Sequence, residues 1–96
     1  MAKFVDLKLS SVKFQYAKYA NGRIAIMATD EGAPLCKCTV NIPETPIADD
    51  EVIIKDYSEN EGVLQDMIEL GIILAPRKMI NTGYGCSAIC KLLKTE

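Results

Sequence analysis

Hydrophobic and polar residues alternate along the N-terminal part of this 96-residue chain. Residues 3–9 set Val5, Leu7 and Leu9 on one side and Asp6 and Lys8 on the other. Residues 12–20 repeat the pattern, with Val12, Phe14 and Tyr16 against Lys13 and Gln15. Asn21-Gly22 follows, and then residues 23–29 with Ile24 and Ile26 in phase. A period of two predicts half-buried strands. Asn-Gly between two such runs predicts a tight hairpin in which both turn residues take positive φ. A second turn is expected at residues 30–34, and a further strand over 35–42. That strand has Cys36, Cys38, Val40 and Ile42 on one face, and Lys37, Thr39 and Asn41 on the other. The prolines at 43 and 46 end it.

After a loop, residues 51–57 predict a short strand, and the period then changes. Val63, Leu64, Met67 and Ile68 recur at helical spacing. Ser58 with Glu61 three residues on has the form of a capping box, and Gly71 stands where a helix C-terminus is expected. The predicted outward face carries Glu59, Gln65, Asp66 and Glu69, with no base at i+4. Glu69 in the last turn opposes the helix dipole, at a cost of roughly 0.3–1 kcal/mol, which hints that the face is used. Residues 72–76 read as a strand, 81–85 as a turn and 86–94 as a closing strand. The expected fold class is therefore α+β: an antiparallel β-sheet (meander) with one α-helix packed on a face, in a single domain spanning 1–96.

Composition narrows the chemistry. Hydrophobic residues make up 49% and charged residues 25%, an ordinary globular balance. No apolar stretch approaches the roughly 20 residues of a membrane span, and Asp6 and Lys8 interrupt the start where a secretion signal needs an apolar run. A cytoplasmic location is the expectation. The chain has no histidine, so the commonest general base and metal ligand is missing. No serine or cysteine has a histidine to activate it, and residues 81–85 lack the lysine of a phosphate loop. Enzyme activity is not expected. Tyr16, Tyr19, Tyr57 and Tyr84 are candidate interface anchors, with ordinary packing as the plainer reading.

Net charge is −2, but it is unevenly spread. Residues 44–69 hold nine acids and one base, a formal −8, whereas the two flanks hold ten bases and four acids, +6. The plain reading is a solvated face, and the sharper one is a docking surface for a basic groove. Asp49, Asp50, Glu51, Glu59, Asp66 and Glu69 are the candidate contact residues. The same acids repel phosphate, so direct nucleic-acid binding is not expected.

Four cysteines, Cys36, Cys38, Cys86 and Cys90, admit two readings. As small hydrophobes they would fill a core. As ligands they would form a closed four-thiolate zinc site, structural and not catalytic. Residues i and i+2 on a strand lie about 6.6 Å apart, which suits a shared ion, but i and i+4 lie about 13 Å apart, which does not. Cys86 and Cys90 therefore share a metal only if residues 85–90 bend. A disulfide is the least expected use in a reducing compartment.

Residues 39–62, TVNIPETPIADDEVIIKDYSENEG, resemble the central signature of small uncharacterised proteins of phages, plasmids and conjugative elements, and the terminal CKLL resembles their last strand. The resemblance implies an accessory or anti-defence protein, with anti-CRISPR inhibitors that bind a host nuclease through acidic surface among the family's possibilities. It carries over no catalytic residue. The alternative is a structural or regulatory zinc module of a mobile element with no nuclease target.

Overall fold

A computed structural model describes residues 12–57, 60–81, 83 and 85–93 of the chain. Within them the class is α+β, with two small antiparallel sheets and one helix. The first sheet has the order β1-β2-β3, from Val12–Lys18 (β1), Ile24–Asp30 (β2) and Ala33–Lys37 (β3). The second has the order β4-β6-β5, from Glu51–Lys55 (β4), Lys78–Asn81 (β5) and Cys86–Lys91 (β6). The helix α1, Val63–Glu69, joins the two halves of the second sheet. The strand expected at 3–9 lies outside the described residues.

Local chemistry explains the first sheet, with one exchange of roles between its turns. Asp30 pairs with Ala33, and Glu31 and Gly32 both take positive φ, 51° and 86°. This two-residue turn has the geometry the sequence suggested for Asn21-Gly22. In the first hairpin only Gly22 is left-handed, at φ 87°. Gly22 N–H donates to the Tyr19 carbonyl (2.9 Å), and Tyr19 N–H donates to the Arg23 carbonyl (2.8 Å). The loop is thus one residue longer and closes with a bulge. A second bulge falls in β3, where Ala28 faces Cys36 and Thr29 faces Pro34, leaving Leu35 extra. Pro34 is tolerated at such a site because it has no N–H to give to a ladder.

The strand expected over 35–42 is divided between the sheets. β3 stops at Lys37, and Cys38 N–H still donates to the Ile26 carbonyl of β2 (2.8 Å). Cys38 then accepts from Lys55 N–H (2.8 Å), Thr39 bridges Ile54, and Val40 N–H donates to the Ile53 carbonyl (3.0 Å). The chain passes from one sheet to the other at Cys38, so a continuous meander becomes two sheets sharing a seam. Thr39, expected on the solvent face, is buried there. Its Oγ1 accepts from Ile26 N–H (3.2 Å) and lies 2.9 Å from the Tyr19 hydroxyl.

The core lies between the sheets and the helix, and it includes Ile26, Ala28, Val52, Ile54, Val63, Met67, Ala88 and Cys90. The helix begins later than a Ser58 cap would place it; Ser58 itself is outside the described residues. Its first turn is closed instead by Asp56, whose Oδ1 accepts from Gly62 N–H (3.0 Å) and Leu64 N–H (3.1 Å). Gly71 ends the helix as expected. At φ 74° its N–H donates to the Ile68 carbonyl, and Ile72 N–H donates to Met67, both at 3.0 Å. The strand expected over 72–76 is reduced to a single bridge between Ile73 and Leu92. Pairing resumes at β5, within the stretch that looked like a connection.

Candidate functional site

The acidic segment is anchored by two arginines from outside it. Arg23, just beyond the first hairpin turn, donates to the carbonyls of Ile42 (2.8 Å), Thr45 (2.6 Å) and Pro43 (3.4 Å). Arg77 donates to the Pro46 carbonyl (3.5 Å) and to both oxygens of Glu51, with its Nη2 3.0 Å from Oε1. Loop carbonyls that no strand uses are satisfied in this way. Residues 48–51 then form a closed turn. Ala48 N–H donates to Glu51 Oε1 (2.8 Å), and Glu51 N–H donates to the Ala48 carbonyl (3.0 Å). Asp49 and Asp50 sit at its tip, both exposed. Asp50 is 3.6 Å from Lys91, an exposed pair of the kind that contributes little.

The six candidate contact acids divide into different roles. Asp49, Asp50 and Glu69 are exposed. Glu51 is part of the fold, since the Arg77 hydrogen bonds, the Ala48 N–H and the Arg77 charge hold its carboxyl below its ordinary range. Glu59 lies outside the described residues. Asp66 corrects the expectation of an outward face, because it is fully buried. The buried row is Val63, Asp66 and Met67, while Leu64 and Ile68 are only partly covered. The helix is rotated relative to the face its apolar spacing suggested. Glu44 and Glu61 are also exposed, whereas Asp56 is the helix cap.

The helix leads away from the far end of β4, and its exit returns to the end where β4 begins. Leu92 N–H donates to the Asp50 carbonyl (2.8 Å), and Leu93 N–H donates to the Ile72 carbonyl (2.8 Å). Asp49 and Asp50 are thereby brought to the same end of the second sheet as the residues just after Glu69. The sequence showed the acids but not this proximity, because it depends on β6 pairing with both segments.

The cysteines differ in exposure. Cys36, Cys38 and Cys90 are buried, and Cys86 is exposed. Cys86 and Cys90 open and nearly close one strand, paired with Asn81 and Val52 respectively. The bend required for a shared ion is not made, and an extended strand separates these residues by about 13 Å. The four residues as placed do not fit a closed four-thiolate site. Cys90 has further reason to stay protonated: burial first, and the Glu51 charge second, push its thiol up to about 12.

A cleft of about 430 Å³ beside the arginine-held loop has walls from Val40, Ile42, Tyr57 and Ile80, with Asn41 and Asn81 among its polar groups. Among the described residues, Glu44 is the one carboxylate lining it, and no base lines it beside Glu44. Tyr57, at its wall, lies over Gly85 with its ring also 5.3 Å from Lys55 Nζ. Among the described residues no helix is long and apolar enough to cross a membrane. Comparison with protein-family models, curated proteins and solved structures gives no match to this chain.

Proposed function

We propose that this is a non-enzymatic protein of a phage or other mobile element that binds a basic surface of a host protein through its acidic segment. The observation that carries the reading is the charge asymmetry, nine acids to one base over residues 44–69, together with the exposed placement of Asp49, Asp50 and Glu69. Acids presented from a loop tied by two arginines lose little freedom when a partner binds, and this favours affinity. Complementary charge also speeds encounter. The resemblance of residues 39–62 to mobile-element proteins narrows the partner to a host defence nuclease, with a CRISPR nuclease foremost, whose basic nucleic-acid channel the acids would occupy. The lack of any histidine fits a protein that performs no reaction. The zinc-module alternative requires Cys86 and Cys90 on one ion, and their shared extended strand does not favour it.

The test is inhibition of DNA cleavage by a panel of purified CRISPR nucleases. Asp66 is unsuitable for charge reversal because it is buried. The triple variant Asp49→Lys, Asp50→Lys, Glu69→Lys is expected to lose inhibition by at least about tenfold, or about 1.4 kcal/mol, with an unchanged melt. Full inhibition by that variant, or no inhibition of any nuclease by the natural chain, would refute the reading. The chain itself is expected to retain no DNA on a filter at low salt; retention that falls steeply with salt would instead indicate phosphate contacts.

A further inference from the structure

We infer, building on that reading, that the cleft beside the arginine-held loop receives an arginine of the protein partner, presented on an extended segment whose main-chain carbonyls meet two asparagine amides. Charge selects the side chain. Glu44 is exposed, and no described base pairs with it. Among the described residues it is the one charged group lining the cleft. The turn that carries it is set before any partner arrives. Thr45 N–H donates to the Ile42 carbonyl (3.0 Å), with Pro43 at the second position where proline favours a turn. Arg23 holds the carbonyls on either side of Glu44. The remaining walls, Ile42, Ile80 and Tyr57 among them, suit an aliphatic stem. Lys55, whose Nζ is 5.3 Å from the Tyr57 ring, does not line the cleft. Arginine fits better than lysine, because its planar head pairs with a carboxylate through two hydrogen bonds, is more weakly hydrated and lies against aromatic rings.

The amides select the backbone. Gly83 N–H donates to Asn81 Oδ1 (2.9 Å), which fixes that oxygen and leaves the Asn81 NH2 group over. Asn21 Oδ1 accepts from Arg23 N–H (3.2 Å), so Asn21 Nδ2 is the donor to Asn41 Oδ1 (3.1 Å), and the Asn41 NH2 group is left over in turn. No described residue accepts from either NH2 group, and both asparagines line the cleft. They offer donors only, and a main-chain carbonyl is the acceptor that accompanies a side-chain cation in a polypeptide. A free cation lacks those acceptors, and an anion would be repelled by Glu44. The volume of about 430 Å³ is ample for one side chain and the backbone at its root.

The probe is the terminally blocked tripeptide alanine-arginine-alanine, titrated into the isotope-labelled full chain and followed by NMR. The controls replace arginine with citrulline, which keeps the shape and removes the charge, or supply ethylguanidinium, which keeps the charge and removes the backbone. Shifts are expected at Glu44 and Tyr57 and in the side-chain NH2 signals of Asn41 and Asn81. Both controls are expected to bind at least about tenfold more weakly. Glu44→Gln should bind the arginine peptide as weakly as the natural chain binds the citrulline one, with its fold confirmed by its amide spectrum. Equal binding of the arginine and citrulline peptides, ethylguanidinium binding as well as the peptide, shifts centred elsewhere, or no binding overturns the inference. Nuclease inhibition that needs Asp49, Asp50 and Glu69 but ignores Glu44→Gln leaves the acidic reading standing and removes this one. Arginine-peptide binding that needs Glu44, without inhibition of any nuclease, does the reverse.

Discussion

At the scale of single residues, the sequence was most informative where backbone conformation is local and least where a polar side chain is buried. Gly22, Gly32 and Gly71 were recognisable because left-handed backbone favours glycine wherever it occurs. Gly85 matters for a different reason. A Cβ there would lie 2.6 Å from Tyr57 Cγ, so Gly85→Ala should destabilise by about 1–3 kcal/mol through overpacking. A matched denaturant titration measures it, and an unchanged midpoint would show that Tyr57 moves aside freely. Asn60 is buried, and its Nδ2 donates to the Lys37 carbonyl (2.6 Å), tying the approach to the helix onto the first sheet. Asn60→Ala is expected to cost about 1–3 kcal/mol by leaving that acceptor unmet, read from the same titration. Neither role has a sequence signature, since each partner is more than twenty residues away. Asp66 was misplaced on similar grounds. A carboxylate at helical spacing reads as solvent-facing, and only the approach of other elements buries it.

At the scale of elements, the helix shows how a correct type can have an unexpected start. The apolar spacing and Gly71 located it, but the cap came from Asp56, six residues before the first amide it receives. Asp56→Ala removes two hydrogen bonds and should cost about 0.5–2 kcal/mol, seen as a lower thermal midpoint and reduced helical signal. No change in either would mean that another group closes the turn. β6 is the centre strand of its sheet, with Ser87, Ala88, Ile89 and Cys90 all buried. Its inward and outward residues could not be told apart by alternation, because both faces are covered. Its end is open, however, and Cys86 is exposed. A thiol reagent at neutral pH is therefore expected to modify Cys86 rapidly. Cys36, Cys38 and Cys90 should react only on unfolding, as burial slows any thiol and Cys90 is in addition held protonated. Rapid labelling of all four in the folded protein would contradict the buried placement.

At the scale of the whole molecule, Glu51 and Arg77 connect the acidic loop to the second sheet, and their pairing gives stability a defined pH dependence. The Arg77 hydrogen bonds lower the Glu51 pKa in the folded chain from an ordinary value of 4.5. The stabilisation is present above that value and is lost as pH falls through the lower folded one. Glu51→Gln should lower stability at neutral pH and flatten the acid limb of the stability curve. A variant with the same acid limb as the natural chain would show that the pair contributes nothing. The variant also leaves Asp49 and Asp50 in place, so it separates the loop's support from its surface charge.

By itself the sequence determined what local forces decide: alternating strands, glycine turns, a short helix, an uneven charge and a chain without histidine. Tertiary structure alone decided which acids face solvent, because burial of Asp66 and pairing of Glu51 depend on segments far along the chain. It also decided that the strand through Cys38 serves two sheets, since a residue's hydrogen-bond partners across a sheet leave no periodic trace in its own neighbourhood. The approach of Asp50 to Leu92, and of Ile72 to Leu93, at one end of the second sheet belongs to the same class. It follows from β6 lying between its neighbours, a pairing that alternation along a chain does not specify.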